Sequence, residues 1–348
     1  MVAVTSWGRL SHDNQQVVML HDRSLVAQQL QENHEIKGVA FGSGRSYGDV
    51  CLNTEGKLWQ TRRLDRFISF DQDSGLLTCE AGVQLKDIQQ QFINRGWQLA
   101  VTPGTKFVTV GGAIANDIHG KNHHVAGSFC DHVKSFNLLR TDGSIHLCSP
   151  QTNPELFAAT IGGCGLTGVV TYATLQLKRS YGPWINTESI PYQNLDEFFK
   201  LADESEAEWE HTVSWLDCMS KNGRGIFIRG NPVEHDLLAQ ANKRLISIPF
   251  TPPISLINSL TLPILNSTYY NLQKMKKSQQ IVDYRSFFYP LDNILAWNRL
   301  YGPQGFFQYQ CVIPRSLGQH AIQKMLNEIV SAETGSFLAV LKTFGQRD

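Results

Sequence analysis

The chain has 348 residues, 42% of them hydrophobic and 18% charged, which is ordinary for a folded protein and long enough for two domains. Its 31 basic and 31 acidic side chains cancel, so no global field favours nucleic acid, and no nucleic-acid reading motif is present. The seven cysteines are scattered without a C-x-x-C pair, which argues against a disulfide framework or a zinc ribbon and for reduced thiols in the cytoplasm.

Residues 1–14 carry Trp7, Gly8, Arg9, His12 and Asp13 where a signal peptide needs an unbroken apolar run. Residues 36–41 read as a strand that runs into Gly42-Ser43-Gly44-Arg45-Ser46-Tyr47-Gly48-Asp49. Residues 76–81 read as another strand. After it, Leu85, Ile88, Phe92 and Ile93 recur at helical spacing, and Gly96 marks the stop. Residues 97–101 return as a strand and end at Pro103-Gly104, before a second glycine-rich run from Val110 to Gly120. Residues 133–140 and 144–148 flank Thr141-Asp142-Gly143 and predict a hairpin. Asn153-Pro154-Glu155 predicts a helix start with an asparagine cap. Gly162-Gly163-Cys164-Gly165-Leu166-Thr167-Gly168 then leads into a strand over residues 169–177. Beyond about Tyr181 glycines thin out and a polar helix is expected over 195–210, so the domain boundary is placed there: residues 1–181 and 182–348. Residues 245–272 are apolar, but Pro249, Pro252, Pro253 and Pro263 cut them into pieces too short to span a bilayer.

Three glycine clusters in one domain suit a bound dinucleotide, because glycine lets backbone amides converge on an anion without a β-carbon in the way. A Rossmann site would need G-x-G-x-x-G opening a helix. Gly42, Gly44 and Gly48 give G-x-G-x-x-x-G instead, with no periodic helix after them.

Together, the Gly42 to Asp49 run, Pro103-Gly104-Thr105, the run from Val110 to His124 and the Gly162 to Gly168 cluster resemble the vanillyl-alcohol-oxidase (PCMH-type) FAD-binding domain. Within that superfamily the chain is similar to the decaprenylphosphoryl-ribose oxidases of cell-wall arabinan synthesis. Tyr289-Pro290-Leu291-Asp292, Trp297-Asn298, Phe307-Gln308-Tyr309-Gln310 and the stretch from Ser336 to Gly345 carry the likeness through most of the chain. The resemblance implies an α+β fold: a two-subdomain FAD domain, then a substrate domain of antiparallel sheet and helices. It implies FAD contacts from Gly42, Ser43, Gly44, Arg45, Ser46, Tyr47, Pro103, Gly104, Thr105, Gly111, Gly112, Ala115, Asn116, Ile118, His119, Gly163, Gly165 and Gly168. Many relatives tether flavin through a histidine of the first loop. Arg45 stands in that place and cannot form the bond, so noncovalent FAD is expected. His119, Lys121 and Lys342 are the implied catalytic residues, and Tyr47, Lys121, Tyr289, Gln308, Gln310 and Lys342 the implied substrate contacts. The implied reaction oxidises a secondary hydroxyl of a polyprenyl-linked sugar, with a reductase partner completing an epimerisation. The family pattern continues beyond Asp348, so the substrate domain is expected to be incomplete. The alternatives are a soluble alditol or aldonolactone oxidase, and a catalytically silent flavin-domain remnant.

The plainer readings stand beside these. His119, His123, His124 and His132 could suggest a metal cluster, but Gly120 argues against one helix face, and no metal is expected. Arg45 could be a solvated loop charge, and Gln310 and Lys342 exposed strand positions. The segment 245–272, followed by Lys274, Lys276 and Lys277, reads either as packing with a solvated charge cluster or as a flap touching the inner face of the membrane.

Overall fold

The computed structural model describes residues 2–33, 36–235, 245–333 and 335–345. The chain divides into two compact units: residues 1–120, 126–182 and 304–308 form the first, and residues 121–125, 183–303 and 309–348 the second.

The first unit contains two sheets. Asn14–Met19, Lys57–Gln60 and Gly38–Phe41 pair in parallel, with Val2–Ala3 added antiparallel at one edge. The other sheet is antiparallel in the order Phe67–Phe70, Leu76–Glu80, Val169–Arg179, Val133–Leu139, Ile145–Cys148, and Trp97–Leu99 joins it on the far reach of Val169–Arg179. Val169–Arg179 alternates between buried and part-exposed positions along most of its length, the period-two signature of a strand with one face on the core. Against that face lies the helix Leu85–Phe92, whose Leu85, Ile88 and Phe92 are buried with Leu77, Cys79, Ala173 and Leu175. It tightens into a 3-10 turn and stops at Gly96, at φ +81°.

Some local signals read differently in the structure. The helix Pro154–Thr160 starts where expected, but Asn153 does not cap it: its backbone is left-handed, and its side chain donates to the Leu147 carbonyl at 2.9 Å. The polar helix is shorter than its pattern, Leu195–Ser205, capped by Asn194, whose side chain accepts from the Glu197 amide.

The second unit is built on one antiparallel sheet in the order Gln279–Asp283, Trp184–Tyr192, Gly225–Val233, His211–Leu216, Ala339–Leu341. Tyr192, Phe198, Ala202 and Phe227 form one core cluster, and Leu195, Leu216, Cys218 and Leu326 another. The helix Thr261–Lys274 runs through Pro263, which is tolerated because the proline sits in the first turn. Its inner side is tied down by polar groups. The buried Asp217 carboxylate accepts from Asn266 Nδ2 at 2.8 Å on one oxygen and from Arg224 Nε at 3.0 Å and Nη2 at 2.9 Å on the other. Removing the carboxylate strands the buried Asn266 amide and leaves Arg224 with Ser267 Oγ at 2.9 Å. Asp217→Ala is therefore expected to lower unfolding free energy by about 3 kcal/mol, read from urea denaturation. An unchanged midpoint would show that the helix is held by packing alone.

Candidate functional site

The first unit draws the three glycine clusters together around the short helix Val110–Ala115. Gly42 follows the strand Gly38–Phe41 and passes so close to Thr109 that a β-carbon would lie 2.4 Å from the Thr109 hydroxyl. Thr109 is fixed in turn as the helix cap, accepting from the Gly112 amide at 3.1 Å. Gln84 fastens the same junction: its amide donates to Ser43 Oγ and to the Phe107 carbonyl, each at 3.0 Å. From the other side, the Gly162 amide donates to the Ile114 carbonyl at 3.1 Å and the Cys164 amide to the Ala115 carbonyl at 2.8 Å. Residues more than a hundred positions apart in the sequence thus share one small region.

The amides divide into two groups. Those of Val110, Gly111 and Gly112 are spent on Val83, Ala81 and Thr109, and those of Asn116 and Ile118 on Gly112 and Ala113. Among the described residues, the amides of Ser43, Gly44, Ser46 and Gly165 have no acceptor. Gly44 holds φ +59°, the left-handed turn that lets successive amides face one way. The donors available to an anion therefore lie in the first and third clusters, and the 110–118 stretch supplies shape and support. Arg45 adds a cation, its guanidinium 4.1 Å from the Trp7 ring centroid and 4.9 Å from that of Phe107. Tyr47 packs edge-on to Phe306 at 5.2 Å, and Thr105 Oγ1 accepts from the Phe107 amide at 3.3 Å, closing the turn after Pro103 and Gly104. His119 sits beside this region, bridged to Ser128.

The second unit assembles a pair of lysines. Segment 121–125 is laced to it: the Thr212 amide donates to the Lys121 carbonyl at 2.7 Å, His124 Nε2 lies 2.9 Å from the Trp209 carbonyl, and the His123 ring stacks on Phe344 at 3.9 Å. Lys342 follows the strand Ala339–Leu341, which pairs with the other side of His211–Leu216. Lys121 Nζ donates to the Phe288 carbonyl at 3.1 Å and lies 5.3 Å from the Phe287 ring centroid. Burial, reinforced by the like charge of Lys342, pushes the Lys121 ammonium down to about 7. Burial alone pushes Lys342 down to about 8. The buried His211 backs the arrangement, with its ring edge-on to Phe288 at 5.0 Å and its Nε2 3.2 Å from Glu210 Oε1. Gln308 and Gln310 are exposed. Tyr289, expected as a substrate contact, is only 1% exposed and packs its ring against Tyr284 and Phe288.

Residues 15–149 match the FAD binding domain family model. The chain is 33% identical over 359 aligned positions to the decaprenylphosphoryl-β-D-ribose oxidase of Mycolicibacterium smegmatis, covering 97% of this chain and 77% of that protein. The chain belongs to the decaprenylphosphoryl-ribose oxidase family. It is an FAD-dependent oxidoreductase. More distant matches confined to less than half of the chain include L-gulonolactone oxidase of Mus musculus, 31% identical over 44% of this chain and 34% of that protein. Another is D-arabinono-1,4-lactone oxidase of Yarrowia lipolytica, 27% identical over 45% and 30%.

The first unit fits that cofactor: unspent amides and a stacked arginine suit a pyrophosphate, each such bond to an anion contributing roughly 1.5–3 kcal/mol. Three parts of the site escape a reading of the sequence. Gln84 and Thr109 lie outside the glycine clusters, the Trp7 and Phe107 platform for Arg45 is far apart in sequence, and His211 has no motif around it. Only the short apolar stretch Ala81-Gly82-Val83 before Gln84, with Leu85 after it, hints that its polarity is spent indoors.

The lysine pair leaves a signature on stability. An unfolded lysine titrates near 10.5, whereas folded Lys121 does so at about 7. Between those values the unfolded chain holds a proton that the folded chain has lost, so this group favours folding more as pH rises. Lys121→Met is therefore expected to be relatively more stable at about pH 6, with that advantage shrinking from about pH 7 upward and vanishing only near the unfolded value of 10.5. Melting curves that shift in parallel for both proteins would show that Lys121 is not desolvated.

Proposed function

We propose that this family member oxidises a secondary hydroxyl of a polyprenyl-phosphate-linked sugar to the ketone, as the first half of an epimerisation that a reductase partner completes. The observation that carries the reading is the part-buried pair Lys121 and Lys342, held by the two sides of one strand, with Lys121 Nζ on the Phe288 carbonyl; desolvation lowers Lys121 to about 7 and Lys342 to about 8. Bound FAD supplies the hydride acceptor; everything else is positioning and proton handling by the chain. Lys121 is uncharged in a large fraction of molecules near neutrality, and its lone pair receives the hydroxyl proton. Lys342 keeps its charge to higher pH and draws in an anionic substrate. His119 is the second candidate for proton handling, and the amides of Gln308 and Gln310 offer donors and acceptors to sugar hydroxyls. The amides of Ser43, Gly44, Ser46 and Gly165 hold the pyrophosphate, with Arg45 adjacent. Because arginine forms no bond to the flavin ring, the cofactor is dissociable. A lipid-linked substrate also brings the enzyme to a membrane surface, and no helix among the described residues is long and apolar enough to cross one.

The test is anaerobic bleaching of the flavin's visible band by a polyprenylphosphoryl pentose, compared with free aldonolactones. Bleaching by the lipid-linked sugar is expected, at a rate that rises with pH through about 7 because the base must shed its proton first. Lys121→Met is expected to slow it by roughly 10²-fold or more and to remove that rising limb. Bleaching only by free lactones would make the chain a soluble lactone-type oxidase, and no bleaching by either would make it a silent flavin protein. Acid precipitation is expected to release the flavin into the supernatant, and colour retained in the pellet would refute the argument from Arg45.

A further inference from the structure

The helix Thr261–Lys274 carries its polarity the wrong way round. Its buried positions are Leu262, Asn266 and Tyr270, and two of these three are polar groups satisfied by internal hydrogen bonds: Asn266 donates to Asp217, and the Tyr270 hydroxyl accepts from Gln193 Nε2 at 2.6 Å and donates to the Tyr192 carbonyl at 3.3 Å. The opposite side presents Ile264, Leu265 and Leu272 to solvent, with Leu260 and Met275 at the two ends. Leu260 is 80% exposed, Ile264 68% and Met275 84%, the reverse of what a helix on a solvated surface displays. The apolar strip extends into the preceding loop, where Ile254 and Leu256 are also exposed. Single exposed apolar residues are ordinary, but a row of them along a helix about 21 Å long, broken only by the uncharged Thr268 and Asn271, marks a surface that is covered in use.

The charge around the strip says by what. No aspartate or glutamate occurs from residue 245 to residue 282, while Lys274, Lys276 and Lys277 cluster at the helix's C-terminal end and are exposed. Apolar side chains flanked only by cations complement a layer whose surface is anionic and whose interior is hydrocarbon. We propose that the outer face of Thr261–Lys274 docks on an anionic lipid bilayer, with Ile264, Leu265, Leu272 and Met275 entering the acyl boundary and the three lysines meeting the headgroups. The buried tie from Asn266 to Asp217 then has a second consequence: it frees the apolar side chains to point outward while the helix stays fixed to its own sheet. The proposal deepens the lipid-linked reading, but it is tested without substrate, so either can fail while the other stands.

The experiment is flotation of the full chain with vesicles of phosphatidylcholine alone and with phosphatidylglycerol added. Co-flotation is expected with the anionic vesicles and is expected to weaken as salt is raised. The variant Ile264→Gln/Leu272→Gln/Met275→Gln is expected to lose at least tenfold in partitioning. Lys274→Ser/Lys276→Ser/Lys277→Ser alters only exposed side chains and is expected to show a similar loss on anionic vesicles with unchanged melting. Wild-type protein that ignores anionic vesicles overturns the proposal, as does flotation undiminished in both variants. A dimer in light scattering that the apolar variant dissolves, without any flotation, assigns the face to a second copy of the chain and also overturns it.

Discussion

Gly42 passes the Thr109 hydroxyl with no room for a β-carbon, and the organisation of the first unit follows from that approach. Thr109 cannot retreat, because it caps Val110–Ala115 and its chain pairs with Gln84. Gln84 cannot turn away, because it holds both Ser43 and the Phe107 carbonyl. The first cluster is thereby pressed against the second, and the third is drawn in through the carbonyls of Ile114 and Ala115. Glycine is used here as missing volume as much as backbone freedom. The amides left over in this arrangement are the ones an anion can use, and they are few because the rest were consumed in building it.

The second unit solves a different problem, the placement of two lysines where water is scarce. Residues 121 and 342 are distant in sequence, yet the strand His211–Leu216 holds the backbone at Lys121 through Thr212 and pairs with the strand that leads into Lys342. Burial disfavours the ammonium form of both lysines, and the like charge of Lys342 adds to it at Lys121, which moves Lys121 furthest toward neutrality. Such a pair is costly to fold at low pH, and groups held at that cost cluster where chemistry needs them. The same unit uses one of its buried carboxylates, Asp217, to hold a helix whose outer face is left apolar.

Much of this was legible from the sequence. The strand and helix spacings of the first unit, the Thr141-Asp142-Gly143 hairpin and the Gly96 stop follow from local patterns, and local patterns are what sequence records directly. Where the structure departs, a tertiary partner outbid the local one: Asn153 gives its side chain to Leu147 instead of capping. The resemblance implied Tyr289 as a substrate contact, but no local pattern showed that its ring joins an aromatic cluster with Tyr284 and Phe288. The glycine clusters announced an anion site, but not which amides remain to serve it, since that depends on acceptors such as Val83 and Ala81. Nor could periodicity show that Thr261–Lys274 buries its polar residues and exposes its apolar ones, because both faces carry apolar side chains and only the packing distinguishes them.

If the contact between Gly42 and Thr109 shapes the site that holds FAD, widening or closing that contact must change FAD affinity. This is tested most directly by titrating FAD into flavin-stripped protein and following the quenching of flavin fluorescence for wild type, Gly42→Ala and Gly42→Ala/Thr109→Ala. Gly42→Ala is expected to weaken FAD binding by at least about tenfold, roughly 1.4 kcal/mol, and removing the Thr109 side chain to recover part of the loss. A Gly42→Ala protein that binds FAD as tightly as the wild type would contradict that role for the contact, because the first cluster would then not need that approach to form the site.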